Sequence, residues 1–156
     1  MEISVKDLNE NFFRAIGDEW MLITAGNKEG FNTMTASWGT IGELWSLPVA
    51  ICFVRPQRYT FKFMEDHDYY TLCFFKPEHH DILQFCGSNS GREVVDILPH
   101  LKERDSTGFY EALDSTSSRV PAGSCCRPLL RFAAQVIPVC PTVKIFIAAF
   151  TSAFSS

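Results

Sequence analysis

The sequence predicts a mainly β fold, an antiparallel barrel with a few peripheral helices. Short apolar runs of strand length are separated by turn signals rich in glycine, proline and asparagine. The stretch Phe31 to Gly39 alternates from side to side as a strand does. The apolar fraction of 46% against 21% charged residues is that of an ordinary globular protein. A chain of 156 residues fits one domain and can bury a core. Its fourteen phenylalanines suit either a barrel interior or a stacking surface for a flat ring.

Taken in order, Val5, Leu8, Phe12, Phe13 and Ile16 fall on one face of a short amphipathic helix, ended by Gly17-Asp18. Trp20 to Ala25 reads as a strand, and Gly26-Asn27-Lys28-Glu29-Gly30 as a turn whose two glycines supply positive φ. Phe31 to Gly39 is then the return strand of a hairpin. Val49 to Val54 is a near-continuous apolar run, expected as a central strand. A short helix is expected over Phe61 to Asp66, a strand over Tyr69 to Phe75, and a helix over Pro77 to Cys86, with Ile82, Leu83, Phe85 and Cys86 inward. Strands of this length with turns between them close most simply into an antiparallel barrel.

Chemistry concentrates in two places. In Asn32-Thr33-Met34-Thr35-Ala36-Ser37-Trp38-Gly39, the alternation puts Thr33, Thr35 and Ser37 on one side of a strand and Met34, Ala36 and Trp38 on the core side. Such hydroxyls could simply be the solvent face of an edge strand, since threonine favours strands. Gly39, however, lets a ligand approach the backbone closely. In Arg55-Pro56-Gln57-Arg58-Tyr59-Thr60, two guanidiniums and a hydroxyl sit on a turn held by Pro56. Arginines are often mere surface ion-pair partners, but guanidinium, hydroxyl and backbone amide together are the groups that grip a phosphate. The two stretches describe a site for a flat, phosphate-bearing cofactor.

These segments, with Glu19 to Gly26, Pro48-Val49-Ala50 and Phe85-Cys86-Gly87-Ser88-Asn89-Ser90-Gly91-Arg92, resemble in order and spacing the flavin reductase-like family of FMN-binding split β-barrels. The likeness covers about residues 19–95. It implies a Greek-key split barrel and a homodimer with FMN near the subunit interface. It also implies hydride transfer from NADH or NADPH to the flavin and on to a small-molecule or redox-protein acceptor. The cofactor-binding residues expected on this likeness begin with Thr33, Thr35, Ala36, Ser37, Trp38 and Gly39, for the polar ring edge and ribityl chain. For the phosphate turn they are Arg55, Arg58, Tyr59 and Thr60, with Arg58 and Thr60 favoured over Arg55 for the phosphate itself. Ser88, Ser90 and Arg92 are expected to meet the flavin or the nicotinamide donor. Tyr59 either stacks on the ligand or plugs the barrel end. No catalytic side chain is required, because the cofactor does the hard chemistry. The alternatives are a non-enzymatic FMN-binding electron-transfer protein, a partner-binding barrel, or a defective copy without cofactor.

Other features point away from other functions. A net charge of −4 argues against a nucleic-acid partner. No Gly-x-Gly-x-x-Gly follows a strand, so no Rossmann nucleotide site is expected. His79 and His80 are adjacent, hence about 100° apart on a helix and ill-placed to share an ion; with Glu78 and Asp81 they read as a solvated helix start. His67 lies in a charged loop. The N-terminus is mixed and acidic rather than basic then apolar, so no secretory leader is expected. Arg131, Pro138, Pro141 and Lys144 interrupt the apolar stretch Leu129 to Phe150, so no membrane span is expected. Cys52, Cys73 and Cys86 read as buried free thiols of a cytoplasmic protein. Cys125, Cys126 and Cys140 lack zinc-ligand spacing, and no metal is expected.

The composition breaks near Asp114. Residues 1–114 hold all 18 acidic residues against 10 Lys/Arg, while 115–156 hold no acid and 4 Lys/Arg. The expectation is a split-barrel domain over 1–114 followed by an atypical tail over 115–156, either frameshifted or divergent, where the family would supply further barrel strands.

Overall fold

The structure, a computed structural model, describes residues 8–27, 29–44, 46–94, 130–140 and 143–150, the last two ranges as backbone. Helix α1 spans Phe12–Gly17 and buries Ala15 and Ile16. It begins later than the apolar spacing implied because the Asn11 side chain accepts the Arg14 N–H at 3.2 Å and caps it there. The expected start at Val5 lies outside the described residues.

Strands β1 (Met21–Gly26) and β2 (Phe31–Ala36) form the expected hairpin, with Met21 opposite Ala36 and Gly26 opposite Phe31. Of the two turn glycines, only Gly26 takes positive φ, at 125°. The other end of the turn is closed by Asn27, whose side-chain oxygen accepts from the N–H groups of Glu29 (3.0 Å) and Gly30 (3.1 Å). The return strand stops at Ala36. A further strand that the sequence did not announce, β3 (Gly39–Leu44), pairs with β4 (Leu47–Val54). Helix α2 is Tyr59–Asp66, β5 is Tyr69–Phe74, and a 3₁₀ turn at Pro77–His79 leads into α3 (His80–Ser88).

The tail contributes β6 (Leu130–Cys140) and β7 (Val143–Phe150). They lie in the middle of a seven-stranded antiparallel sheet ordered β2-β1-β5-β6-β7-β4-β3. The edges are β2 and β3, and among the described residues no ladder joins them. Among the described residues the sheet is therefore open between these two edges. The expected boundary at Asp114, and Cys125-Cys126, lie outside the described residues.

The β2-β1-β5 half is covered on both faces. On one face Met21, Ile23, Met34 and Leu72 pack with Phe61 and Met64 of α2. On the other Leu22, Cys73 and Phe75 pack with Ile82, Leu83 and Cys86 of α3. Fully burying a side chain such as Leu22 or Leu83 stabilises by about 1.5–3 kcal/mol. Both helices are thereby clamped on either side of β2, the strand that carries the hydroxyl alternation.

Candidate functional site

The hydroxyl face of β2 is occupied by the protein itself. Thr35 donates to the Leu83 carbonyl of α3 at 2.5 Å, and Thr33 donates to the Ile23 carbonyl at 3.2 Å while sharing a 2.9 Å hydrogen bond with Thr24. Register places Thr33, Thr24 and Thr71 in one row across β2, β1 and β5. All three are buried, and the Thr71 hydroxyl has no hydrogen-bond partner among the described residues. Ala36 is buried as well. The alternation correctly separated two faces but could not reveal that α3 covers the polar one.

Trp38 departs from its expected place in the core: it is 56% exposed. The reason is that β2 ends at Ala36, so Ser37-Trp38 form a short connection in which the side-to-side rhythm no longer applies. The Trp38 carbonyl accepts the Phe53 N–H at 3.4 Å, and Ser37 is exposed. Gly39 has a packing reason to be glycine, since a Cβ there would come within 2.7 Å of the Ile51 carbonyl oxygen.

The arginine turn meets both of the other expected segments. Arg55 lies over the Trp38 indole, 5.9 Å from its centroid. Arg58 immediately precedes α2 and donates from Nη1 to the Gly87 carbonyl at 3.4 Å. Arg92 stacks on Tyr59 at 5.1 Å, and Tyr59 meets Phe63 edge-on at 5.2 Å. Ser90 Oγ accepts the Arg92 N–H at 3.3 Å, and Ser88 Oγ accepts from Gln84 at 3.2 Å. Strand β2 with its Ser37-Trp38 extension, the turn 55–60 and the loop 87–92 thus converge, though far apart in sequence.

Thr60 is 0% exposed, and its hydroxyl accepts a 2.6 Å hydrogen bond from Asn32 Nδ2. Asn32 also donates to the Thr33 carbonyl at 3.1 Å, and its side-chain oxygen lies where a Cβ on Gly91 would sit. Asn32 and Gly91 are positions to which sequence reasoning gave no role. The available signal was a carboxamide in a strand, where asparagine is disfavoured unless it is bonded.

Among the described residues, none of Arg55, Arg58 and Arg92 has a carboxylate within ion-pair distance. A guanidinium bound to a carbonyl or stacked on a ring keeps further N–H donors free. Arg58 and Arg92, on a turn and a loop that contact each other in a net acidic chain, form a donor set that fits a phosphate, and the exposed Trp38 indole beneath Arg55 fits a flat ring. The residues present therefore fit a phosphorylated flavin.

Other titratable groups have structural settings. His80 packs its ring against Trp20 at 4.4 Å, and His79 lies 3.7 Å from Glu78 and edge-on to Phe75. The expected solvated helix start is thus half-buried against aromatics. His67 Nδ1 is 3.0 Å from the Phe63 carbonyl. Burial pushes the Cys52 thiol up to about 12 and Cys86 to about 11, so neither offers a thiolate at neutral pH. Burial, with Cys52 beside it, also raises Tyr70. No group of three or more metal-ligating side chains occurs among the described residues, and none of their helices is long and apolar enough to cross a membrane.

An open antiparallel sheet flanked by helices, with an arginine turn beside a Thr/Ser strand, defines a flavin reductase-like split barrel. Residues 13–116 match the family model described as flavin reductase like domain, and the chain belongs to that family. Solved structures carry the same fold. Flavoredoxin from Methanosarcina acetivorans superposes with a TM-score of 0.59 at 18% identity, over 88% of this chain and 68% of that one. An FMN-binding protein from Thermus thermophilus gives 0.61 at 14% identity, over 97% and 78%. The styrene monooxygenase flavin reductase of Pseudomonas putida S12 gives 0.54 at 12% identity, over 86% and 77%. No curated protein sequence matches the chain. Membership of the family supports a flavin-related oxidoreductase function.

Proposed function

We propose that the protein is an FMN-binding oxidoreductase that passes a hydride from NADH or NADPH through the flavin to an acceptor. The observation that carries this reading is the convergence of Arg55, Arg58 and Arg92, from the turn 55–60 and the loop 87–92, on β2 and its Ser37-Trp38 extension, with no carboxylate partner among the described residues. The chemistry a flavin supplies when bound is two-electron transfer between a nicotinamide and an acceptor. Arg58 and Arg92 hold the phosphate, with Arg55 beside Trp38 at the rim. Ser37, Trp38 and Gly39 meet the ring, while Thr33, Thr35, Ala36, Thr60, Ser88 and Ser90 hold the surrounding backbone in place. Tyr59 supports Arg92, which stacks on its ring, and packs edge-on against Phe63. The buried thiols fit a reducing compartment, hence the cytoplasm. The exposed Trp38 and Leu47 fit a second copy of the chain across the site.

Steady-state oxidation of NADH and NADPH with FMN present tests the reading. Turnover above the uncatalysed rate is expected with at least one donor. Flavin binding without turnover would leave an electron-transfer protein on the same fold, and no flavin binding would remove both.

A further inference from the structure

We propose that Asn32 is the positioning residue that holds the phosphate turn in register with the flavin-side strand. This rests on the flavin reading above and deepens it. Asn32 is only 7% exposed, so it is a strut within the protein. Each end of its carboxamide has an assignment. Nδ2 donates to the Thr33 carbonyl of its own strand (3.1 Å) and to the Thr60 hydroxyl at the start of α2 (2.6 Å). Its oxygen packs against Gly91, where the backbone comes so near that a Cβ would overlap it. One side chain therefore fixes three segments: β2, the turn carrying Arg58 and Tyr59, and the loop carrying Arg92.

The consequence follows from the flanking residues. Arg58 and Tyr59 immediately precede Thr60, and Arg92 follows Gly91. Anchoring Thr60 and Gly91 to the same carboxamide sets where the two phosphate-facing guanidiniums stand relative to each other and to β2. Arg58 to Gly87 and Arg92 to Tyr59 then tie the same turn to the same loop from outside. The outer ties are partly solvated, and Arg92 is exposed, so they are weak alone. The buried Asn32–Thr60 bond is the dry one, and its donor has no water to turn to when the acceptor is removed. Thr60, expected from sequence to touch the phosphate, thereby acts on it through the turn.

Thr60→Val tests this, because it keeps the shape and removes only the acceptor. Gly91→Ala displaces the carboxamide from the other side, and Thr60→Ser restores the hydroxyl. FMN dissociation constants are measured by flavin fluorescence titration, with the absorption band positions of bound FMN recorded at saturation. Far-ultraviolet circular dichroism of each ligand-free variant checks folding. T60V and G91A are expected to weaken FMN by about ten- to a hundredfold. Their bound-flavin band positions should match the parent, because the ring subsite is untouched, and T60S should bind like the parent. Wild-type FMN affinity in T60V, T60S as weak as T60V, or band shifts accompanying the loss would overturn the assignment of Asn32. Should T60V fail to fold, G91A against the parent gives the same reading. A parent protein that binds no FMN at all would instead overturn the flavin reading, and this inference with it.

Discussion

At the residue scale, burial decides which polar groups act on a ligand and which hold the fold. Arg58 is half-buried with one donor on Gly87 and no carboxylate beside it among the described residues. Arg58→Met keeps much of the stem and removes the charge. It is expected to weaken FMN by about ten- to a hundredfold, the scale of a lost charge-assisted hydrogen bond. Riboflavin, which lacks the phosphate, should bind as it does to the parent in parallel fluorescence titrations. Thr33, Thr35 and Thr60 show how far residue types alone can be read: their hydroxyls were legible as a polar face, but their partners on Ile23, Leu83 and Asn32 come from elsewhere in the fold. The thiols give a pH dependence with a definite sign. Cys52 and Cys86 have folded pKa values of about 12 and about 11, above the ordinary 9.0. The unfolded chain loses these protons first, so their contribution is complete below about pH 9 and is lost as pH rises towards 11–12. Over that window stability should fall by up to about 1.4 kcal/mol per pH unit for each thiol. Denaturant midpoints at pH 8, 9 and 10 check it; a midpoint that stays level across them contradicts it.

At the element scale, the legible pieces were those with a strong local pattern. The β1–β2 hairpin, β4, α2, β5 and α3 appear where alternation, apolar runs and proline starts put them. Strand β3 was missed because Thr40-Ile41-Gly42-Glu43-Leu44 has little apolar content and two faces of mixed exposure, so its identity comes from pairing with β4. Its first residue is the sensitive one. A methyl at Gly39 would press on the Ile51 carbonyl, a backbone atom that cannot swing aside. Gly39→Ala should therefore destabilise by about 1–3 kcal/mol, the usual cost of overpacking. Chemical denaturation measures this, and a loss below about 0.5 kcal/mol, the range of neutral surface changes, would contradict it.

At the scale of the whole molecule, the tail holds the sheet together. Strands β6 and β7 stand between β5 and β4, so among the described residues β2-β1-β5 and β4-β3 share no direct ladder. This placement was not legible in residues 115–156, whose lack of acids reads as foreign to the rest and which lie almost wholly beyond the family match ending at residue 116. Removing residues 130–156 should accordingly abolish cooperative unfolding, because each half keeps an unpaired inner edge. Calorimetry of the shortened chain tests this, and one sharp transition near that of the full chain would contradict it.

The central claim is that the converging strand, arginine turn and loop bind a phosphorylated flavin. The most direct measurement is the visible absorption spectrum of the purified full chain after mixing with FMN and removing the unbound excess. The account predicts retained flavin bands, with perturbed positions, that bleach on anaerobic addition of NADH or NADPH. A folded but colourless protein would contradict it.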